Sequence, residues 1–457
     1  MKHKLIYLLS FFCLLVAGCN DDDDPVMVLS QTEFNEISHE GGICKIDITS
    51  NYEWTATSDN DWCKVSKQEG VANYTLAVEV EANLGEARTG KVTITAQGTS
   101  YTVTISQQGL TEGQELKYRI PIVFHVIYAD ENDPTQNIPA EEIYSLIENV
   151  NKMYRNAGGE NTVDLNMEFV PAELDPQGNL MEEPGIDRVK WLTAELDETD
   201  VMNDNTRKYV HFLWEPNDYV NILVYRFVGS TTLGISTFPY TTQTHPMDGT
   251  DVLPDMNITL ANLNYVRGVS INNAFLGNAD DYLTPYAPEN YKEIITKQVD
   301  GSITLAHELG HYFGLRHAFS EIPPELGCLD TDFCEDTESY DYQEYTMFVQ
   351  QIYQLMEEQG QDYADSFDWE CLFERSTCKG AKFVSHNIMD YAYSYLDEFT
   401  ADQRLRVRHV LDYSPMIPGP KQTRAYLSTK AVSDAPMDLP FSVSNCGPRG
   451  LIVTNNK

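Results

Sequence analysis

Alternating apolar and polar residues dominate the chain between residues 26 and 109. The alternation is clear in Tyr74–Val80 and again in residues 91–96 and 101–106, and glycine and asparagine residues separate these runs. A period of two places successive side chains on opposite faces of a strand, so each run predicts a strand with one buried face. About seven short strands fit into this length, and the sequence therefore predicts an all-β, immunoglobulin-like sandwich over residues 26–109.

The pattern changes after a short linker at residues 111–115. Tyr118–Tyr128 is an almost continuous apolar run, which is typical of a strand buried on both faces. Helical spacing follows and predicts an amphipathic helix, whose apolar face consists of Ile143, Leu146, Ile147, Val150 and Tyr154. Residues 167–171 and 220–228 predict further strands of the same sheet.

The last readable element begins at Thr400. Thr400 and Gln403 have the spacing of a capping box, so we expect a helix from there to about Leu411. These elements define a second domain over residues 117–413. Residues 414–457 form a C-terminal extension in which no pattern predicts an element.

The start of the chain has the features of a targeting segment. Two lysines precede an apolar run at residues 5–16, which is too short to span a membrane as a stable helix. The run ends in Leu-Val-Ala-Gly-Cys, which resembles the bacterial lipobox. The resemblance implies a lipoprotein signal peptide at residues 1–19 and a lipidated Cys19.

Acidic residues follow this cysteine and make residues 20–25 an acidic tether. Such a tether either is merely solvated or acts as a surface-export signal. We expect a bacterial outer-membrane lipoprotein that is exposed on the cell surface and contacts the membrane through its lipid anchor.

The chain carries far more acidic than basic residues. It has 31 Lys and Arg against 70 Asp and Glu, which gives a formal net charge of −39 at pH 7. Nucleic acids and anionic membrane surfaces attract basic patches, so this balance argues against both as electrostatic partners.

Three of the ten histidines lie in one short run, ITLAHELGHYFGLRH, at residues 303–317. His307 and His311 are four residues apart, so on a helix both rings project from one face and can bind one ion. Gly314 can adopt a positive φ, which turns the chain back and brings His317 to the same ion. Three imidazoles leave a zinc ion a fourth position for a water molecule, whose pKa falls toward about 7. Glu308 is then the candidate general base.

A methionine turn follows this motif in the run SHNIMDY at residues 385–391. HExxHxxGxxH followed by such a turn is the signature of metzincins. The runs HELGHYFGLRHAF, CLDTDFCEDTESY and NIMDYAY resemble the pappalysin family in particular, although Ala318 and Glu338 depart from its pattern.

The resemblance implies an α+β metzincin-type catalytic domain, with a mixed sheet and an active-site helix. It also implies a zinc endopeptidase that acts on protein or peptide substrates. Met389 would pack beneath the metal, and Tyr391 would either stabilise the oxyanion or only pack there. Residues 233–239 resemble the edge strand of the pappalysin cleft, which can accept a peptide as an added strand or serve as a plain structural strand.

The N-terminal domain resembles the BACON module in Trp54, Trp62, Asn83, Arg88 and the run at residues 107–109. Some members of that family are proposed to bind glycans, and two exposed tryptophans would form a sugar platform. If both tryptophans instead belong to the core, the domain is a spacer. The alternative functions are therefore a catalytically weak surface lipoprotein that binds glycan or protein, and a zinc hydrolase that acts on a non-peptide ester or amide.

Regular patterning is lost after the histidine motif for about seventy residues, a length that is usually functional or cross-linked. Four cysteines in this stretch allow two disulfides in any of three pairings: Cys328, Cys334, Cys371 and Cys378. Cys44 and Cys63 would form another bridge within the sandwich, which leaves Cys446 over.

Acidic residues crowd the same stretch, and the family resemblance implies calcium there. Clustered carboxylates suit this ion, and the alternative is a solvated acidic loop. The calcium candidates are Asp330, Asp332, Asp336 and Thr337, with Glu335 and Glu338 beside them.

Overall fold

The computed structural model describes residues 26–155, 162–276, 286–391, 393–421 and 435–447. The predicted signal peptide at residues 1–19, its Cys19 and the acidic tether at residues 20–25 lie outside these residues.

Two sheets form the N-terminal region. Its strands are β1 Met27–Leu29, β2 Glu33–Ile37, β3 Gly42–Ser50, β4 Trp54–Ser58, β5 Cys63–Val65, β6 Glu69–Gly70, β7 Tyr74–Val80, β8 Arg88–Ala96 and β9 Thr99–Gln107. One sheet has the order β1-β3-β7-β5 and the other the order β2-β9-β8-β4-β6, and all neighbours are antiparallel except β2 and β9. Apolar residues from both sheets form one core, among them Ile46, Val78 and Ile94. The all-β prediction is therefore confirmed.

The structure fits the spacer alternative better than a sugar platform, because the two tryptophans do not share an exposed face. Trp54 is 1% exposed, and its indole N–H donates to the carbonyl of Ala72 at 3.2 Å. Trp62 is partly buried beneath the Arg88 guanidinium, which lies 4.2 Å from its ring centroid. Trp54 is therefore a core residue, as the spacer alternative requires.

The predicted Cys44–Cys63 bridge is also wrong. Both residues are buried free cysteines, and they lie on β3 and β5, which flank β7 on opposite sides. Two strand spacings are about 9–10 Å, which is beyond the reach of a disulfide. Burial raises the pKa of Cys44 to about 11 and that of Cys63 to about 12.

A mixed sheet with helices follows. Its strands are β10 Tyr118–Tyr128, β11 Met167–Pro171, β12 Ile186–Lys190, β13 Glu195–Leu196, β14 Val220–Phe227, β15 Gly234–Thr237, β18 Val269–Asn272 and β21 Val443–Cys446. Two separate pairs of strands are β16 Tyr240–Thr242 with β17 Asp251–Leu253, and β19 Glu374–Ser376 with β20 Lys382–Val384. The helices are α1 Ala140–Tyr154, α2 Glu198–Asn203, α3 Glu289–Thr296, α4 Gly301–Tyr312, α5 Tyr342–Gln359, α6 Gln361–Ser366 and α7 Ala401–Tyr413. Short 3-10 segments lie at Val210–Phe212, Leu260–Asn262, Asn273–Phe275, Lys297–Val299, Pro324–Leu326 and Trp369–Leu372.

The main sheet has the strand order β11-β10-β14-β18-β15-β21. Its first four strands are parallel, and β15 is antiparallel to β18. Strand β12 also pairs with β10, beyond the end of β11, and β13 pairs with β14. An apolar core joins this sheet to α1, α4 and α7. The predicted α+β class is therefore confirmed, as are the apolar face of α1 and the Thr400 capping box of α7.

The stretch after α4 is more regular than the sequence analysis expects. It contains the 18-residue helix α5, then α6 and the hairpin β19–β20. Helix α5 begins after Asp341, whose side chain accepts from the backbone N–H of Glu344 at 3.0 Å. Its buried residues have helical spacing: Tyr345, Val349, Ile352, Tyr353 and Met356. The expectation of an irregular loop is wrong, and the spacing that corrects it was readable in the sequence.

A buried ion pair joins this stretch to the methionine turn. Arg375 lies 3.5 Å from Asp390, and their side chains are 0% and 2% exposed. The Arg375 guanidinium also donates to the carbonyl of Tyr391 at 3.1 Å, and the Tyr340 hydroxyl donates to Asp390 at 2.5 Å. Nearby Asp390 raises the pKa of Arg375 against the opposing effect of burial, so the guanidinium stays charged. These contacts fix the backbone of the turn.

We expect Arg375→Met to lower the free energy of unfolding by about 3–5 kcal/mol, because it leaves the Asp390 carboxylate buried without its cation. The matched control is Arg226→Met, since Arg226 is half exposed and lies 3.8 Å from Glu195 in an exposed pair. That change should cost less than about 1 kcal/mol. Urea unfolding of both variants measures the difference, and equal midpoints would contradict the assigned role of the pair.

Candidate active site

Helix α4 holds the histidine motif in the interior of the protein. The Asp300 side chain caps its first turn by accepting from the backbone N–H groups of Ser302 at 2.8 Å and Ile303 at 3.0 Å. Every residue of the helix is buried. The Tyr154 hydroxyl of α1 donates to the carbonyl of Ala306 at 3.0 Å. These contacts fix the position of the helix, and with it the positions of His307 and His311.

Gly314 ends the helix in the way that the sequence predicts. Its φ is +92°, and its N–H donates to the carbonyl of His311 while the N–H of Leu315 donates to that of Gly310, both at 2.9 Å. This pair of bonds is a Schellman motif, which reverses the chain direction. The reversal brings His317 back to the helix.

The three histidine rings converge through their Nε2 atoms. His311 Nε2 lies 3.0 Å from His307 Nε2 and 3.1 Å from His317 Nε2. All three residues are at most 6% exposed. The three nitrogens lie close enough together to bind one metal ion.

The partners of the Nδ1 atoms fix which nitrogen carries the proton. His307 Nδ1 lies 2.8 Å from the carbonyl of Ile388, and His311 Nδ1 lies 2.8 Å from that of Leu315. A carbonyl oxygen only accepts, so each Nδ1 must donate its proton. In a neutral ring the Nε2 lone pair then points toward the other rings, and three converging lone pairs fit a cation such as zinc.

Glu321 positions the third histidine, and the sequence analysis missed it. Its Oε1 lies 2.7 Å from His317 Nδ1, and its Oε2 lies 3.3 Å from Arg316. Burial raises the pKa of Glu321, but the hydrogen bond from His317 and the charge of Arg316 outweigh it and leave the pKa below the ordinary value. The one available signal in the sequence was a carboxylate four residues after the last histidine. That spacing belongs to no motif, so it did not identify a functional residue.

Glu308 faces the same space. Its carboxylate, a ring nitrogen of His307 and the Cys446 sulfur all lie within 4.8 Å of one another. The side chain packs on Gly234 of β15, where an added Cβ would approach the Glu308 Cγ to 2.7 Å. A glycine is therefore required at position 234 for the carboxylate to lie against the sheet edge.

Met389 lies beneath helix α4 and is fully buried. A Cβ on Gly310 would overlap its sulfur, so the helix and the turn are in contact at this point. The Met389 carbonyl also accepts from the N–H of Ala318 at 3.0 Å, just after His317. The turn therefore holds the histidine set from below, as the family resemblance implies.

Tyr391 stands beside the histidines. Its ring centroid lies 5.3 Å from that of His307 and 4.4 Å from that of His317. Its hydroxyl donates to the carbonyl of Asn445. The ring is therefore near enough to assist chemistry, although the hydroxyl contacts β21 in this conformation.

The predicted second disulfide of the cysteine stretch does not form. Cys328 and Cys378 are bonded, whereas Cys334 and Cys371 are free. Their surroundings differ, because charges near Cys334 come from Asp332 and Arg406 and those near Cys371 come from Glu374 and Lys382. The two thiols therefore belong to separate parts of the fold.

Two of the acidic residues in this stretch accept hydrogen bonds from protein groups. Asp332, 2% exposed, accepts from the N–H of Cys334 at 2.9 Å and from the Thr337 hydroxyl at 2.7 Å. Asp336 accepts from the N–H of Asp402 at 3.0 Å. Burial raises the pKa of Asp332 to about 7, so near neutral pH it is a poorer cation ligand than an exposed carboxylate. Calcium binding at Asp330, Asp332, Asp336 and Thr337 stays a prediction.

Strand β15 lies within residues 233–239, the predicted cleft edge, but it has a paired strand on each side. Strand β21 of the C-terminal extension pairs with it antiparallel, with Gly234 opposite Cys446 and Thr237 opposite Val443. No sequence pattern predicts an element after residue 414, because a strand of four residues with a distant partner gives too little signal. The one sequence signal that singled out Cys446 was that the predicted disulfides left it over.

Within the described residues, two sets of at least three side chains could hold a metal ion. One is the histidine triad, and the other is His307 with Glu308 and Cys446. No helix of the described part of the chain has the length and apolar character that a membrane crossing needs.

Two regions of the chain match models of known protein families. Residues 276–412 match the M43 peptidase family model, described as pregnancy-associated plasma protein-A, and residues 52–108 match the BACON model, described as an N-terminal binding domain. No curated protein matches the sequence.

Several solved structures resemble parts of the chain. Mature mirolysin of Tannerella forsythia, solved with a cleaved peptide, is 23% identical and matches over 65% of this chain and 93% of its own, with a TM-score of 0.42. A promirolysin mutant of the same organism is 23% identical over 64% of this chain and 80% of its own, with a TM-score of 0.41. A Bacteroides thetaiotaomicron protein solved by NMR is 18% identical over 20% of this chain and 98% of its own, with a TM-score of 0.16.

We expect Glu321→Ala to weaken zinc binding by about 10- to 100-fold, because the ring of His317 loses the acceptor that orients it. Glu321→Gln keeps an acceptor and should recover part of the loss. Glu325→Ala, an exposed carboxylate in the same segment, is the control. Competition with a chromophoric chelator gives the dissociation constants, and an unchanged constant in Glu321→Ala would show that the contact is incidental.

Proposed function

Because residues 276–412 carry a pappalysin-type M43 metalloendopeptidase domain, we propose that His307, His311 and His317 bind its zinc ion and that Glu308 is its general base. The observation that carries the proposal is the convergence of three Nε2 atoms, since that of His311 lies 3.0 Å and 3.1 Å from the other two. Backbone carbonyls at the same time fix two of the Nδ1 atoms. A purely structural cluster would gain nothing from directing three lone pairs at one point.

The proposed reaction assigns separate roles to the metal ion and to Glu308. A bound zinc ion supplies an activated water near neutral pH and polarises the scissile carbonyl. Glu308 takes the proton of the attacking water and returns it to the leaving amine. Because Glu308 is buried against Gly234, its carboxylate is held at the end of the sheet edge on which an extended peptide would lie.

The peptide substrate is supported by the geometry of β15. This strand lies beside the histidine triad, and the extended segment β21 pairs with it at the position that an extended peptide would take. An added strand places its backbone, rather than an ester side group, next to the catalytic carboxylate. We propose that Tyr391, with its ring against His307 and His317, supports the developing oxyanion when its hydroxyl is released from Asn445.

We expect Glu308→Gln to lower kcat/KM on a mixed peptide library by about 10²- to 10⁴-fold, because only the proton-accepting group is removed. Zinc content should stay near one per chain. His311→Ala is the comparison variant, and it should lose the metal together with the activity. Wild-type rates in Glu308→Gln with full zinc would exclude this mechanism.

We further propose that the enzyme is anchored at the bacterial surface through Cys19. The support is the apolar run that ends in Leu-Val-Ala-Gly-Cys and the acidic run after it. The mature chain would then begin at the lipid-bearing cysteine and display both domains outward on residues 20–25.

Cys19→Ser should move the protein from the outer-membrane fraction to the soluble fraction, because the thiol that receives the lipid is absent. Cys13→Ser changes a thiol within the same apolar run and should leave fractionation unchanged. Digestion of intact cells with an added protease reports surface exposure. Membrane retention of the Cys19→Ser protein would refute the anchor.

A further inference from the structure

We propose that Arg267 and the small cavity beside it form a binding site for one small monovalent inorganic anion, such as chloride, and that this anion stabilises the cleft edge. The site lies near Thr237, the last residue of β15, and so at the other end of that strand from Gly234. It takes no part in the proposed reaction and requires neither the zinc ion nor Glu308.

Arg267 is a buried cation whose hydrogen-bond donors are only partly used. The residue is 3% exposed, and its Nε and Nη2 atoms have no hydrogen-bond partner among the described residues. A guanidinium stays charged at neutral pH, and a charge that leaves water without a counter-charge is unfavourable. Nε–H and Nη2–H lie on the same edge of the guanidinium plane, so a single acceptor can bind both. The two unused donors therefore form one site for an anion.

The Asp251 carboxylate lies nearby but does not supply the counter-charge. Burial raises the pKa of Tyr240, Arg267 lowers it and Asp251 raises it, so both charges lie near this ring. Asp251 accepts from the Ser442 hydroxyl at 2.9 Å, and Arg267 forms no ion pair with any carboxylate in the described part of the chain. The Tyr240 ring centroid lies 4.0 Å from the guanidinium carbon, and a ring face attracts a cation without neutralising it.

The guanidinium borders a small cavity that has room for a single water-sized group. Among the described residues that line it, none is acidic, and Tyr265 and Phe441 form one aromatic wall with ring centroids 4.4 Å apart. Asn264 also lines the cavity, and it donates one of its two amide hydrogens to the carbonyl of Met437 at 2.8 Å. The surroundings of the cavity are therefore neutral or hydrogen-bond donating, which suits an anion.

The size of the cavity selects the class of anion. A water molecule would accept from both N–H groups but would leave the charge of Arg267 uncompensated, whereas a monatomic anion does both. A carboxylate would fit the same edge of the guanidinium, but it needs more space than one water molecule. Aromatic walls exclude solvent and strengthen the attraction between the two charges. A halide therefore matches both the charge and the space.

The backbone next to Arg267 holds the end of the cleft-edge strand. The carbonyl of Gly268 accepts from the N–H of Thr237 at 3.1 Å, and the Gly268 N–H donates to the Thr237 hydroxyl at 3.2 Å. Val269, the next residue, begins β18, which pairs with β15. A displacement of the guanidinium would therefore reach both strands, so an anion that holds it in place should stabilise the cleft edge.

Thermal unfolding of the full-length protein at constant ionic strength tests the site. Replacing gluconate, which is too large for the cavity, by chloride should raise the Tm of the wild type saturably by about 2–4 °C. The net charge of −39 disfavours weak anion binding over the rest of the surface. Arg267→Gln should lose the chloride dependence, and Arg226→Gln, which changes a half-exposed arginine, should keep it. An equal Tm of the wild type in the two salts overturns the proposal, as does an unchanged chloride dependence in Arg267→Gln.

Anomalous X-ray scattering from wild-type crystals in bromide locates the ion and needs no variant to fold. We expect a bromide ion within hydrogen-bond distance of Nε and Nη2 of Arg267. The absence of bromide from this position overturns the proposal. Bromide at Arg267 together with a Tm that does not depend on halide would be an adventitious ion only, and that result also overturns it. Neither measurement uses peptide cleavage, so both decide the anion site whatever the activity of Glu308→Gln.

Discussion

The proposed active site depends on the hydrogen bonds of the histidine Nδ1 atoms. Each ring is held by an acceptor outside the metal position: Ile388 in the methionine turn, Leu315 in the reversal after α4, and Glu321 beyond His317. These acceptors place the proton of each ring on Nδ1. The three Nε2 lone pairs therefore point toward one another. The Schellman motif, the methionine turn and the Arg375–Asp390 pair are all needed because each one positions an acceptor or a ring.

The parts that could be predicted from the sequence are those with short-range spacing. The interval from His307 to His311 fixes a common helix face, and Gly314 fixes the reversal that brings in His317. The alternation in Tyr74–Val80 and the apolar run Tyr118–Tyr128 likewise predict strands from local pattern alone.

The parts that could not be predicted depend on distant partners. Strand β21 has four residues, and its partner β15 lies about two hundred residues earlier in the chain. Disulfide partners are likewise decided by three-dimensional distance, which is why Cys328–Cys378 could not be told from its alternatives and why the Cys44–Cys63 bridge was wrong. Helix α5 is a different case. The helical spacing of its apolar residues was present in the sequence, but the cysteines around it led to the prediction of a loop.

The bonded pair Cys328–Cys378 and the buried thiols coexist in one chain, and this has a consequence for its behaviour in an oxidising environment. Disulfide exchange requires a thiolate, and burial raises the pKa of Cys44 to about 11. Burial raises the pKa of Cys63 further, to about 12, so both thiols are almost entirely protonated at neutral pH. An oxidising compartment would therefore form the Cys328–Cys378 bridge while Cys44 and Cys63 stay unreactive.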